Sequence, residues 1–172
     1  MNKNTKLIMA ITAGLVVVVV VFAFLNRENI APKKEAQESG IFFIHSGGEE
    51  FTVTMDDIEA LSPFTIVANY KKSGQAASNR IFQGVSLKAV VERMGVDYSR
   101  NASVSFLAAD GYASALTIAE AMDDGNCYIV IAEENKPLGT RESGGSGPYM
   151  MILANDQFSQ RWCKFLLEVN LQ

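Results

Sequence analysis

Gly144-Gly145-Ser146-Gly147-Pro148-Tyr149 runs without a break into Met150-Met151-Ile152-Leu153, and Arg161-Trp162-Cys163-Lys164 follows a few residues later. A glycine-rich loop feeding an apolar strand, with a further strand closing the chain, is the pattern of a sheet. Glycines at this spacing let backbone N–H groups come close to a ligand, because no Cβ stands in the way. Gly145 and Gly147, with the flanking Arg141 and Tyr149, are therefore candidate binding residues.

Outward from this stretch, Tyr128 to Ala132 is apolar on both faces, as a central strand is. Phe165, Leu167, Val169 and Leu171 alternate with Lys164, Glu168 and Asn170 in a closing strand, with Leu166 out of phase. Ile41 to Ile44 and Phe51 to Thr54 flank Ser46-Gly47-Gly48-Glu49 and predict a hairpin. Phe64 to Tyr70 and Val104 to Ala108 are further strands. Helices are short: Thr54 with Asp57 and Thr117 with Glu120 have capping-box spacing. Ser86 caps a helix bearing Leu87, Val90, Val91 and Met94, which Gly95 stops. Strands outnumber helices without βαβ alternation, so the expected fold is α+β with a mixed sheet.

The amino-terminal segment is of another kind. Leu7 to Leu25 carries no charge, and Thr12 is its one polar side chain. As a helix it would span about 28 Å, close to the hydrocarbon thickness of a bilayer. Lys3 and Lys6 before it favour a cytoplasmic N-terminus for residues 1–6. The expectation is a single-pass anchor at 7–25 in the cell membrane; a cleaved signal peptide ending near Val21-Phe22-Ala23 is the alternative. Residues 26–40 have no apolar periodicity and read as a tether, which leaves 41–172 as one extracytoplasmic domain.

After residue 40 there are ten Lys and Arg against sixteen Asp and Glu, a net charge near −6. That balance argues against a nucleic-acid partner, which needs a basic face. Cys127 and Cys163 would either form a disulfide outside the cytoplasm or pack as small buried hydrophobes. They and the single His45 make no zinc-like spacing, and no metal site is expected. The chain has no Gly-x-Ser-x-Gly elbow, P-loop or His-Glu-x-x-His motif.

Polar chemistry collects in three loops: Lys71 to Arg80, Asp110 to Tyr112, and Arg141 to Tyr149. Brought together, they would offer the Asp110 carboxylate, the Tyr112 and Tyr149 rings, the Arg80 and Arg141 guanidiniums and glycine N–H donors. That set suits a planar polar heterocycle, stacked on an aromatic ring with its amine donating to the carboxylate. Each residue also has a plainer reading, as a hairpin turn, a core tyrosine or a solvated arginine.

Five motifs occur in order: Phe82-Gln83-Gly84-Val85-Ser86-Leu87, Asp110-Gly111-Tyr112, Lys136-Pro137-Leu138, Gly147-Pro148 and Arg161-Trp162-Cys163-Lys164. Over residues 50–172 this series resembles the molybdopterin-binding domain of the sulfite oxidase type, in a short exported form. The resemblance implies an α+β domain binding a pterin or molybdopterin-like cofactor, with Phe82 added to the candidate residues. It also implies molybdenum in the enzymes, held by a cysteine upstream of the Gly-Val-x-Leu motif. Here residues 64–81 contain no cysteine, and Tyr149-Met150 stands where larger members often carry arginine after Gly-Pro. The expectation is a pterin-binding sensor, carrier or accessory subunit for a membrane partner, without thiolate-ligated molybdenum. A molybdenum-dependent oxidoreductase and a protein-interaction domain with a lost pocket are the alternatives.

Overall fold

The computed structural model describes residues 9, 11–19, 21, 36, 39–71, 74 and 76–172. The chain divides into two compact units, Met1–Glu35 and Ala36–Gln172. In the first, residues 9, 11–19 and 21 are helical. Among the described residues no helix is long and apolar enough to cross a membrane. The rest of the expected anchor, residues 1–6 and most of the expected tether lie outside the described residues. The second unit begins inside that tether, where the buried Ala36 accepts the Ile41 N–H at 3.1 Å.

The second unit is α+β, but its strands form two sheets where one was expected. Sheet A has the order β2-β1-β10-β5-β6: β1 (Phe42–Ser46), β2 (Glu49–Val53), β5 (Ser103–Ala108), β6 (Ala113–Thr117) and β10 (Leu166–Leu171). It is mixed, because β1 runs parallel to β10. Sheet B is antiparallel: β3 (Phe64–Tyr70), β4 (Ser78–Ser86), β7 (Cys127–Glu133) and β8 (Lys136–Pro137), with β9 (Met150–Leu153) also paired to β7. One apolar core draws on both sheets, with Phe42, Ile44, Phe106 and Val169 from A and Phe82, Val85, Ile129 and Met151 from B.

The local signals act as their chemistry dictates. In α1 (Met55–Ala60) the Thr54 hydroxyl accepts the Asp57 N–H, and the Asp57 carboxylate accepts the Thr54 N–H. Ser86 caps α2 (Leu87–Arg93), which buries Leu87, Val90 and Val91. Thr117 caps α3 (Ile118–Ala121), but the Glu120 carboxylate bonds Arg161. The phase break at Leu166 is a bulge: the pairing of β10 with β5 shifts between Leu166 and Glu168, so Leu166 and Leu167 are both buried.

β4 departs from its sequence reading. The Phe82–Leu87 motif does end at a helix start, where Ser86 caps α2, but residues 78–80 were expected in a loop. Instead β4 pairs along all of β3, setting Tyr70 opposite Ser78 and Ala68 opposite Arg80. Gly84 lies inside this strand, where the register against β7 shifts between Gln83 and Gly84. A Cβ there would sit 2.2 Å from the Ile129 carbonyl oxygen, so this glycine serves strand contact.

Candidate ligand cavity

Three segments from different parts of the chain line an open cavity of about 350 Å³. The end of β3 supplies Tyr70 and Lys71; the β5–β6 turn supplies Asp110 and Tyr112; the stretch between β9 and β10 supplies Ser159, Gln160, Trp162 and Lys164. Trp162 is buried and forms the floor. Its indole N–H donates to Leu153 O at 3.2 Å, and its ring lies 5.7 Å from Tyr70 and 5.6 Å from Phe82, the latter edge-on. Arg161 holds this stretch in place through ion pairs to Asp156 and Glu120. These hydrogen bonds raise its pKa further, and it stays charged.

The opposite wall is a tight turn. Gly111 has φ +89°, and the Asp110 carboxylate accepts the Tyr112 N–H at 3.1 Å. The Tyr112 hydroxyl reaches over to donate to Gln160 O, tying turn to floor. Burial, then the nearby Cys163, raises the Tyr112 pKa, which keeps the phenol a donor. Ser159 donates to Lys71 O at 3.0 Å, and the Lys71 ammonium lies 4.6 Å from the Phe158 ring centre. Lys164 is exposed and makes no ion pair among the described residues.

Of the residues singled out from sequence, the structure places Asp110 and Tyr112 on this cavity and the others elsewhere. Phe82 lies behind it, 1 % exposed, backing Trp162. Arg80 stacks 4.1 Å from the Tyr70 ring centre and pairs with Glu133, lining a separate groove with Ser78, Asn79 and Lys136. Arg141 is an exposed turn residue on neither. The Gly145 N–H donates to Thr140 O and the Gly147 N–H to Gly139 O, each at 2.8 Å, so the loop's own chain takes up both donors. Tyr149 is a core residue: its hydroxyl donates to Gly40 O at 2.7 Å and its ring meets Phe42 edge-on at 4.9 Å. Tyr70, Lys71, Trp162 and Lys164 replace them. Lys71 stood in a flagged loop and Trp162-Cys163-Lys164 in a flagged motif, whereas Tyr70, at the end of a plain strand, gave no signal.

Neither cysteine offers a thiolate. Both are free and buried. Burial, then Asp110, pushes the Cys163 thiol up to about 12, and burial raises Cys127 further. Among the described residues no three His, Cys, Asp or Glu side chains converge as metal ligands.

The chain belongs to the oxidoreductase molybdopterin-binding domain family, whose pattern it matches over residues 43–172. Among solved structures it is similar to the sulfane dehydrogenase SoxCD from Paracoccus pantotrophus, with a TM-score of 0.62 and 14 % identity. The likeness covers 76 % of this chain and 37 % of that one, so the present chain spans little more than a third of its relative's length. At that identity the likeness speaks for the fold alone. No curated protein matches the chain.

Proposed function

We propose that this protein binds a pterin or molybdopterin-like heterocycle in the cavity between Tyr70, Tyr112 and Trp162. It would act as a sensor, carrier or accessory subunit held at the cell membrane by residues 7–25, with the folded domain outside the cytoplasm and a membrane protein as its partner. The observation that carries the reading is the convergence of three segments on one aromatic-walled hollow. Its volume, about 350 Å³, is within the range that small-molecule sites occupy. Its chemistry fits the pterin part of the cofactor. The ring would stack on Trp162, Asp110 would accept the ring amine, and Lys71 and Lys164 would meet a phosphate or ring oxygens.

The same residues do not fit a thiolate-held metal. Molybdenum of this type uses a soft anionic sulfur, whereas residues 64–81 lack cysteine and Cys163 is buried and does not line the cavity. We therefore derive no redox step. Trp162 is the sole tryptophan, so its fluorescence reports directly on the cavity. Titration of the full chain in detergent with reduced or oxidised pterin should give saturable quenching. No quenching at high micromolar ligand would end this reading. Family membership favours the second reading, a molybdenum-dependent oxidoreductase, and stoichiometric molybdenum in protein purified from its native host would establish it.

A further inference from the structure

The two sheets protect their edges differently. β2, at one edge of sheet A, carries Glu49 and Glu50, and such charges discourage edge-to-edge pairing. β3, at the edge of sheet B, is seven residues long, Phe-Thr-Ile-Val-Ala-Asn-Tyr, with no charge, proline or bulge. Among the described residues no strand pairs its outer side. Val67 is 56 % exposed and lies directly opposite Ile81, itself 47 % exposed, so an apolar strip borders the open edge.

Charge at the two ends of β3 selects the occupant. Before it, α1 exposes Asp56 and Glu59; after it comes Lys71, followed in sequence by Lys72. We propose that β3 pairs antiparallel with β3 of a second copy of this chain, about a two-fold axis through Val67. In that register Thr65 faces Asn69 of the partner copy, and Val67 faces its counterpart. The basic end of each strand then meets the acidic α1 end of the other, twice over. Parallel pairing would set like charges together. The two-fold keeps outer faces together, so both Val67–Ile81 strips lie side by side as one continuous apolar patch. This inference does not depend on any ligand in the cavity.

Light scattering on the full chain in detergent should give twice the chain mass, and Val67→Lys, at an exposed position, should return it to the monomer. Val67→Cys supplies a second measurement that survives a folding defect in the lysine variant. Antiparallel neighbours have Cα atoms about 4.5–5.5 Å apart, within the range a disulfide bridges. The variant should therefore cross-link on mild oxidation, while Glu50→Cys on the charged edge should not. A monomeric native chain overturns the proposal, including the case in which another protein's strand covers this edge. So does a dimer that persists in Val67→Lys while Val67→Cys stays uncross-linked, since the contact would then lie elsewhere.

Discussion

Two loops of this domain each carry glycine and a tyrosine, and they do opposite things. The Ala109–Tyr112 turn projects from sheet A, and its tyrosine is 40 % exposed at the cavity wall. The stretch from Gly139 to Tyr149 is exposed over residues 140–144 and then turns inward, with Gly145 pressed on neighbouring backbone and its tyrosine fully buried. Gly111 is there for its positive φ, with open space where a Cβ would go. Gly145 is there because a Cβ would sit 2.1 Å from Leu138 O and 2.5 Å from Gly139 O. Glycine in a loop therefore carries two separate meanings, and only the local packing tells them apart.

The sharpest way to break this contrast is to add one methyl group to each loop. Gly145→Ala must displace backbone, and we expect a loss of about 3–5 kcal/mol in the unfolding free energy from urea titration. Gly111→Ala meets no atom and bears only the strained φ, for about 1–2 kcal/mol. Equal losses at the two sites would remove the distinction.

A second test uses the buried side of the cavity. Cys163 has its folded pKa raised from 9.0 to about 12. The stabilisation from keeping this thiol neutral is complete below pH 9, where both states are protonated. It is lost as pH rises from about 9 toward 12, because the unfolded thiol ionises first. By pH 10.5 this amounts to about 2 kcal/mol at most. Urea midpoints should therefore fall more steeply between pH 8.5 and 10.5 in the native chain than in Cys163→Ala. Parallel slopes would show that the thiol ionises freely in the folded protein.

These contrasts also mark what could be read in advance. Caps, hairpins and strands were legible because each depends on residues within four or five positions, as Thr54 with Asp57 or Gly47-Gly48 between β1 and β2. The division into two sheets was not, since the parallel partner of β1 lies more than a hundred residues away in β10. Arg80 was misplaced because Ser78-Asn79-Arg80 is polar enough for a loop, while pairing with β3 keeps it in a strand. Two of the eight lining residues, Asp110 and Tyr112, were legible as site residues. Tyr70 and Trp162 were harder, because an aromatic residue near a strand end looks the same whether it fills a core or faces a hollow.

The tyrosine pair gives the finer comparison, since one hydroxyl is removed from each. In Tyr149→Phe the half-buried Gly40 carbonyl loses its donor, and such an orphaned acceptor costs about 1–2 kcal/mol. In Tyr112→Phe the Gln160 carbonyl lies at an exposed contact where water replaces the phenol, so stability should change by less than about 0.5 kcal/mol. The ligand titration should reverse that order. Tyr112 joins the two walls of the cavity, and losing a tie worth up to about 0.5 kcal/mol corresponds to roughly twofold weaker pterin binding, read from Trp162 quenching. Tyr149 touches neither wall, and its variant should titrate as the native chain does. If Tyr149→Phe weakened binding while Tyr112→Phe did not, the inward-folded glycine loop would be the ligand's seat, and the assignment of the two loops would have to be exchanged.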